Sequence, residues 1–488
     1  MIPSPSFARN GLLAATLLLS FGLSQAADRI SQDANGTAGN GPSAANDVTP
    51  DGKFAVFTSD ASNLVGLDDD NGLSDVFVYE RATGELTLVA TNDVGEQTAA
   101  ASSSGSISND GLVVAFQAIA TDLVSGEDDD GFVDIYVKNL EDNSIELASL
   151  ADDPMNEPNA DCLLLGLSGN GKFVLFASVA DNLVDDDDNM MLDLFVRDLD
   201  GETTTRVSVA DGGAELTGTG PSWGSISDDG TLVVFATDSA NVVTDDFNTF
   251  SDVFLHSVGS VPASTVRISM DFNDEETNGD SNNPVIAGNG LYVAFDSDAS
   301  DLVDGDANDA RDVFIYDIFN DQTQIVSLTT NRSQVDQPSS FPTISGNGRF
   351  VGFTSASPDF DNRYSGSGLE GFYKDLQTNS VELANITKNN QQGNGAASIP
   401  LVSSNGALVF TSNSTNLVNG GGGSETHAFY TKPKTPKIVV NQALKAAFKK
   451  KIKKAKFALR KAKRAGKKAR VKKLKRKIRT LRKRMKKI

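Results

Sequence analysis

The residues best suited to do chemistry are acidic and recur in one pattern, Asp-x-Asn/Asp-x-x-x-Asp. It is met at Asp69, Asn71 and Asp75; at Asp128, Asp130 and Asp134; at Asp187, Asn189 and Asp193; at Asp246, Asn248 and Asp252; and at Asp306, Asn308 and Asp312. Alternating oxygen-bearing side chains on a tight loop, with a carboxylate a few residues on, suit a hard cation such as Ca²⁺. The loops are shorter than an EF-hand and lack its closing Glu. A second reading needs no metal: Asp and Asn build turns by bonding their own backbone, and duplication copies such turns. Extra carboxylates at Asp68, Asp129 and Asp186 exceed what a turn needs. Ca²⁺ is therefore carried forward as the expected ligand. A sixth segment keeps only Glu370 at the last place, and a seventh has Gly420 to Gly423 followed by His427.

The remaining chemistry is bounded mainly by exclusion. His256 and His427 are the only histidines and Cys162 the only cysteine. A zinc site built on several His and Cys ligands is excluded, as is a disulfide within the chain. Neither histidine lies in a nucleophile-elbow context. No Walker A or dinucleotide fingerprint is present. A single tryptophan, Trp223, argues against a large sugar-stacking platform. Cys162 precedes Leu163-Leu164-Leu165 and reads as a buried, inert thiol.

The elements that must carry the acidic loops repeat with them. Turn glycines stand at Gly52, Gly111, Gly171, Gly230, Gly290, Gly348 and Gly406, 58 to 60 residues apart. A fixed period of this size signals a repeat architecture. An Asp or Asn precedes each glycine, as a tight hairpin turn requires. A Phe ends each following run (Phe57, Phe116, Phe176, Phe235, Phe295, Phe353, Phe410). An aromatic sits second in the next strand (Phe77, Tyr136, Phe195, Phe254, Phe314, Phe372, Phe429). Such rows fit a buried sheet-on-sheet core. Each unit has room for four short strands, so the expected fold is all-β, a seven-bladed β-propeller. The outer strands read Arg206-Val207-Ser208 and Arg267-Ile268-Ser269, and the seventh unit lacks one. Arg29-Ile30-Ser31 near the start of the chain supplies the match. An N-terminal strand is thus expected to close the last blade and remove an open edge.

Phrases such as SGNGRFVGFTS, SDASDLVDGDANDARDVFIYD and TTTRVSVADGG resemble the WD40-like (PD40) propeller repeats of TolB-type bacterial proteins. The resemblance covers about residues 27 to 432. It implies a propeller in an extracytoplasmic setting and names no activity, because this fold hosts many functions. The chain departs from TolB in having no segment before the first repeat as long as TolB's N-terminal domain.

Residues 1–26 read as a secretory signal peptide, with Arg9, an apolar core from Leu12 to Leu23, and Ser24-Gln25-Ala26 at the cleavage site. The propeller is expected over residues 27–430 and a stiff linker over 431–437 (TKPKTPK). The remainder, 438–488, is a basic tail. Of the 43 Lys and Arg, 26 lie in residues 437–488, which hold no Asp or Glu. The net charge of −22 therefore divides into +26 there and −48 in the rest. Apolar residues at Val471, Leu474, Ile478, Leu481 and Met485 recur at helical spacing. A basic amphipathic helix binds anionic membrane, polysaccharide, nucleic acid or acidic protein, and export makes nucleic acid the least natural of these.

The long second-to-third-strand loops and the Asn-, Gly- and Ser-rich connections between blades share one face. Binding sites favour long loops on a rigid scaffold. The first functional reading is an exported, non-enzymatic binding or scaffold propeller, periplasmic or secreted. It would carry Ca²⁺ on its long-loop face, where a protein or polymer partner docks, and be tethered by its tail to an anionic surface. The rivals are a hydrolase or lyase acting on a polyanionic polymer, and a purely structural surface component.

Overall fold

The computed structural model describes residues 27–66, 69–124, 131–151, 157–221, 223–366, 368–418 and 425–431, with single positions 456 and 475. The expected signal peptide, the linker beyond Thr431 and the helical tail lie outside the described residues.

Residues 27–431 form seven four-stranded antiparallel sheets, six of them meanders in chain order. Blade three shows the plan, with strands Cys162–Leu167, Phe173–Ser178, Asp193–Asp198 and Thr203–Arg206. Blades one to six span residues 43–88, 102–147, 162–206, 224–267, 281–325 and 339–383. Blade seven joins Leu401–Val402, Leu408–Ser412 and His427–Thr431 to Asp28–Arg29 from the start of the chain.

β-Branched and aromatic runs such as Val113-Val114-Ala115-Phe116 set the second strands. A hairpin turn precedes each. In blade two the Gly111 amide donates to the Ser108 carbonyl at 3.0 Å. The Ser108 hydroxyl meets Asp110 and accepts from the Val113 amide at 3.0 Å. The seven turn glycines have φ between 62° and 81°, which L side chains adopt with strain. A side chain at Gly111 would also meet the ring of Phe54 on the neighbouring blade.

The expected aromatic rows meet in register. Phe57 lies opposite Phe77, Phe116 opposite Tyr136, Phe176 opposite Phe195, and so on to Phe410 opposite Phe429. Each of the seven pairs is stacked, with centroids 5.5–6.0 Å apart. The core lies between blades. Val56, Val76 and Val78 of blade one pack with Phe116 and Tyr136 of blade two. Ile30, Val409 and Tyr430 of blade seven pack with Phe57 and Phe77 of blade one.

The N-terminal strand closes the ring as expected. Arg29 pairs with Phe429, in the register that Arg206 takes with Phe195. The Ile30 amide donates to the Ala428 carbonyl at 2.9 Å. Across the joint, the Tyr430 hydroxyl donates to the Gly52 carbonyl at 3.0 Å and the Ser404 amide to the Pro50 carbonyl at 2.9 Å. Along the axis the first strands leave a cavity of about 220 Å³, walled by Ile107, Ile226, Ile286 and Ile344 among others.

Ile30 is fully buried in the joint between blades seven and one. Ile30→Ala is expected to cost about 2–5 kcal/mol, the range for truncating a large aliphatic in a packed core. Chemical denaturation checks this: a midpoint equal to that of the exposed control Val94→Ala would contradict closure through this strand.

Candidate functional site

The third strands place the last acid of each expected triplet. Asp75, Asp134, Asp193, Asp252 and Asp312 each open a third strand and are buried. In blades two to five the acid is held by a serine just past the fourth strand: Ser149, Ser208, Ser269 and Ser327 donate to it. The same hydroxyls accept from the amides of Ile135, Leu194, Val253 and Val313 at 2.9–3.0 Å. This relay ties the outer strand to the third.

The middle residues face the other way. The side-chain oxygens of Asn71, Asn189, Asn248 and Asn308 accept from amides two residues on, those of Leu73, Met191, Phe250 and Ala310. The amide nitrogens of Asn189 and Asn308 donate to Asp193 at 3.1 Å and Asp312 at 2.9 Å. All four thus make turns; Asn189 and Asn308 offer N–H, not oxygen, to the strand-opening acid, whereas the Asn71 amide nitrogen donates to the Thr98 carbonyl at 3.1 Å. Asp128 and Asp130 lie outside the described residues.

The first acids, Asp69, Asp187, Asp246 and Asp306, stand beside the last, and here the blades divide by charge. In blade three the Arg206 guanidinium lies 3.1 Å from Asp187, 4.0 Å from Asp193 and 2.6 Å from Glu215. In blade four Arg267 lies 3.3 Å from Asp246, 3.2 Å from Asp252 and 3.1 Å from Glu276. An internal cation therefore occupies the centre of both acidic groups. Blades one and five hold a neutral amide instead. Gln97 donates to Asp75 at 2.9 Å and to Asp69 at 3.4 Å, and Gln334 donates to Asp306 at 2.7 Å. One oxygen of Asp69, a residue only 4% exposed, has no partner among the described residues. Blade six follows with Gln392 on Glu370 at 3.0 Å.

The loop pattern alone does not reveal Arg206, Arg267, Gln97, Glu215, Glu276, Gln334 and Gln392. The last five sit on the connections between blades. Four of these connections fold back through isolated bridges at Thr91–Gln97, Val209–Glu215, Met270–Glu276 and Ile386–Gln392. The Gln or Glu oxygen caps the acidic loop by accepting from an amide there, such as Asp70, Asp188 or Phe247. A recurring Gln or Glu at a fixed distance after the outer strand was the available signal. Among the described residues no three His, Cys, Asp or Glu side chains form a group able to hold a metal.

Burial and the neighbouring Asp69 push the Asp75 carboxyl up to about 7. Burial, then Asp193, push Asp187 up to about 6 against the partial offset of Arg206. Asp246 behaves alike beside Asp252 and Arg267. Burial carries Asp312 up to about 6 as well. The one ion pair of a single guanidinium with two buried carboxylates and a glutamate does not balance their charge. Elsewhere, His256 is buried in the third strand of blade four with Nδ1 2.9 Å from the Thr265 hydroxyl, and burial lowers it to about 4. Cys162 is buried, its thiol 3.9 Å from the Ala160 carbonyl.

No family model matches the chain, and no curated protein matches it. Among solved structures, one presented as TolB of Agrobacterium tumefaciens aligns at 14% identity over 74% of this chain and 98% of its own, with a TM-score of 0.37. A prolyl endopeptidase aligns at 10% identity over 82% of this chain, TM-score 0.46; this chain covers 50% of it. A puromycin-hydrolyzing peptidase of Mycobacterium tuberculosis aligns at 9% identity over 76% of this chain and 50% of its own, TM-score 0.43. Likeness of this degree carries no argument about function, and the propeller assignment stands on the sheet topology.

The raised carboxyls fix a pH dependence. A folded-state value above the unfolded 3.8 means that the folded chain binds the proton more tightly, so stability falls as pH rises toward 6 or 7. His256 opposes this only below its unfolded value of 6.5, where acid charges the unfolded chain first. With chelator present, the melting temperature is expected to be higher near pH 6 than near pH 7.5. Asp75→Asn is expected to flatten that slope; an unchanged slope in the variant would remove Asp75 from the account.

Proposed function

We propose that the protein is a non-enzymatic binding scaffold whose long-loop face takes up divalent cation at the blades that lack an arginine, blade one first and blade five with it. The observation that carries this is the orphaned oxygen of Asp69 beside Asp75, buried with only Gln97 between them. In blades three and four the same place holds a guanidinium. Two buried carboxylates without a cation repel each other, and a hard cation with oxygen ligands relieves this. Ca²⁺ would be held by Asp69 and Asp75, and in blade five by Asp306 and Asp312, with Gln97 or Gln334 turned aside. Two carboxylates make a weak site, of the order of 10⁻⁴–10⁻³ M as in extracellular modules. Blades three and four would take none, their arginines already supplying the charge.

The tail extends the reading to a surface. The 26 basic residues from Lys437 onward, without an acid among them, suit anionic lipid or polysaccharide, and the apolar stripe through Leu474, Ile478, Leu481 and Met485 favours a lipid interface. The extracytoplasmic setting rests on reading residues 1–26 as a signal peptide. No helix among the described residues is long and apolar enough to cross a membrane.

Two measurements test this function. Millimolar Ca²⁺ is expected to raise the melting temperature over chelator, Mg²⁺ less so. Asp69→Asn with Asp306→Asn should abolish the rise, while Asp187→Asn should leave it. No heat and no thermal shift with Ca²⁺ would reduce the loops to turns. Separately, the full chain should bind anionic vesicles and lose them as salt increases, whereas a chain ending at Lys437 should not; equal binding by both would discard the tether.

A further inference from the structure

Blade seven keeps the arginine of blades three and four but none of its acids. Arg29 stands opposite Phe429 as Arg206 stands opposite Phe195 and Arg267 opposite Phe254. The strand-opening acid, Asp193 or Asp252 in those blades, is here His427. The glutamate of the folded-back connection, Glu215 or Glu276, is here Ala38, bridged to Gln32 as Glu215 is to Val209. The guanidinium is nevertheless buried, with the residue 5% exposed. Among the described residues its Nε and Nη1 have no partner, and its Nη2 reaches only the Gly36 carbonyl, at 3.5 Å.

The serine of this blade faces an imidazole in place of a carboxylate. Ser208 and Ser269 give their hydroxyl hydrogens to carboxylates. The equivalent Ser31 accepts from the Ala428 amide at 3.1 Å and lies 3.3 Å from His427 Nδ1. Placed as Ser208 and Ser269 are, Ser31 is assigned the donor role toward Nδ1, and the hydrogen of the neutral imidazole then sits on Nε2. That nitrogen too is buried and without a partner among the described residues. Burial, then the charge of Arg29, lowers the His427 imidazole and keeps it neutral. A buried guanidinium with no counter-charge is strongly unfavourable. Blade seven thus keeps the cationic half of the arrangement in blades three and four and lacks the carboxylates that complete it there.

We infer that Arg29, His427 and Ser31 form a carboxylate-binding site at the ring closure, receiving an external carboxylate where blades three and four place the carboxylates of their own Asp and Glu. A guanidinium matches a planar carboxylate through paired N–H donors, and His427 Nε2 supplies a further donor. The carboxylate comes from a free organic acid or from an acidic polymer presented to the long-loop face.

The test uses the full chain with chelator present, so that the cation reading plays no part. Acetate, succinate and poly-glutamate are each compared with sodium chloride at equal ionic strength. Carboxylate is expected to raise the melting temperature by on the order of 2 °C or more. A response to acetate and succinate indicates a free acid, and one to poly-glutamate alone an acidic polymer. Arg29→Leu should lose the response while melting no lower than the parent in chloride, because it removes an unpaired buried charge. Ala38→Glu combined with His427→Asp, which restores internal acids, should melt higher in chloride and also lose the response; it decides the matter if Arg29→Leu does not fold. No carboxylate response in the parent chain, or the same response in either variant, would overturn the site.

Discussion

The structure depends on one packing constraint: no blade holds a core of its own. The stacked pair in each blade is buried against the aliphatic residues of its neighbour, as Phe116 and Tyr136 are against Val56 and Val76. A four-stranded sheet apolar on both faces must be covered on both, and in a row of seven the first and last would each keep one face wet. Closure alone satisfies every interface. The joint between blades seven and one therefore differs in kind from the other six. It is made by Ile30 and Tyr430, distant in the chain, and it fixes Arg29 in place as a consequence.

Buried charge is handled by the same geometry. Five positions along the third strands, side chains point into the gap with the preceding blade. Lys138 donates there to the carbonyls of Thr91 and Asn92 at 2.9 and 2.8 Å. Arg197 donates to Ala151 at 3.2 Å and Lys374 to Leu328 at 2.7 Å. His256 reaches Val209 through the Thr265 hydroxyl. Each is a clasp between blades. Carbonyl partners offset burial only in part, and burial draws Lys138 and Lys374 down to about 8.

The propeller was legible because its signals are local and repeated. The turn glycines, the aromatic rows and the Arg-Ile-Ser triplet at residues 29–31 each specify a strand or a turn within a few residues. The charge centre was legible only by half. The acids are written in one loop, whereas their partners arrive from the outer strand and from the connection beyond it, as Gln97 does for Asp69. The triplets Arg206-Val207-Ser208 and Arg267-Ile268-Ser269 were read for their strand pattern, and their arginines were not read as cations. The Asn residues look like ligands by composition, but the bond from the Leu73 amide turns the Asn71 oxygen into the loop. Such orientation follows from backbone geometry that a spacing rule does not contain.

One sequence position thus sets the electrostatics of each blade. The residue opposite the third-strand aromatic is Arg29, Leu88, Leu147, Arg206, Arg267, Ile325 or Leu383. Where it is arginine with acids intact, the centre carries its own cation. Where it is aliphatic with acids intact, as in blades one and five, a pair of carboxylates is left short of positive charge; both are buried in blade one, whereas in blade five Asp312 is buried and Asp306 half-buried. Where it is arginine without acids, as in blade seven, the shortage is reversed. Because the interfaces between blades bury most of this layer, water screens either imbalance weakly, and a buried net charge draws a counter-ion or shifts its protonation. A ring of near-identical sheets can in this way present different ligand preferences around one face, by substitutions that leave the stacked core untouched.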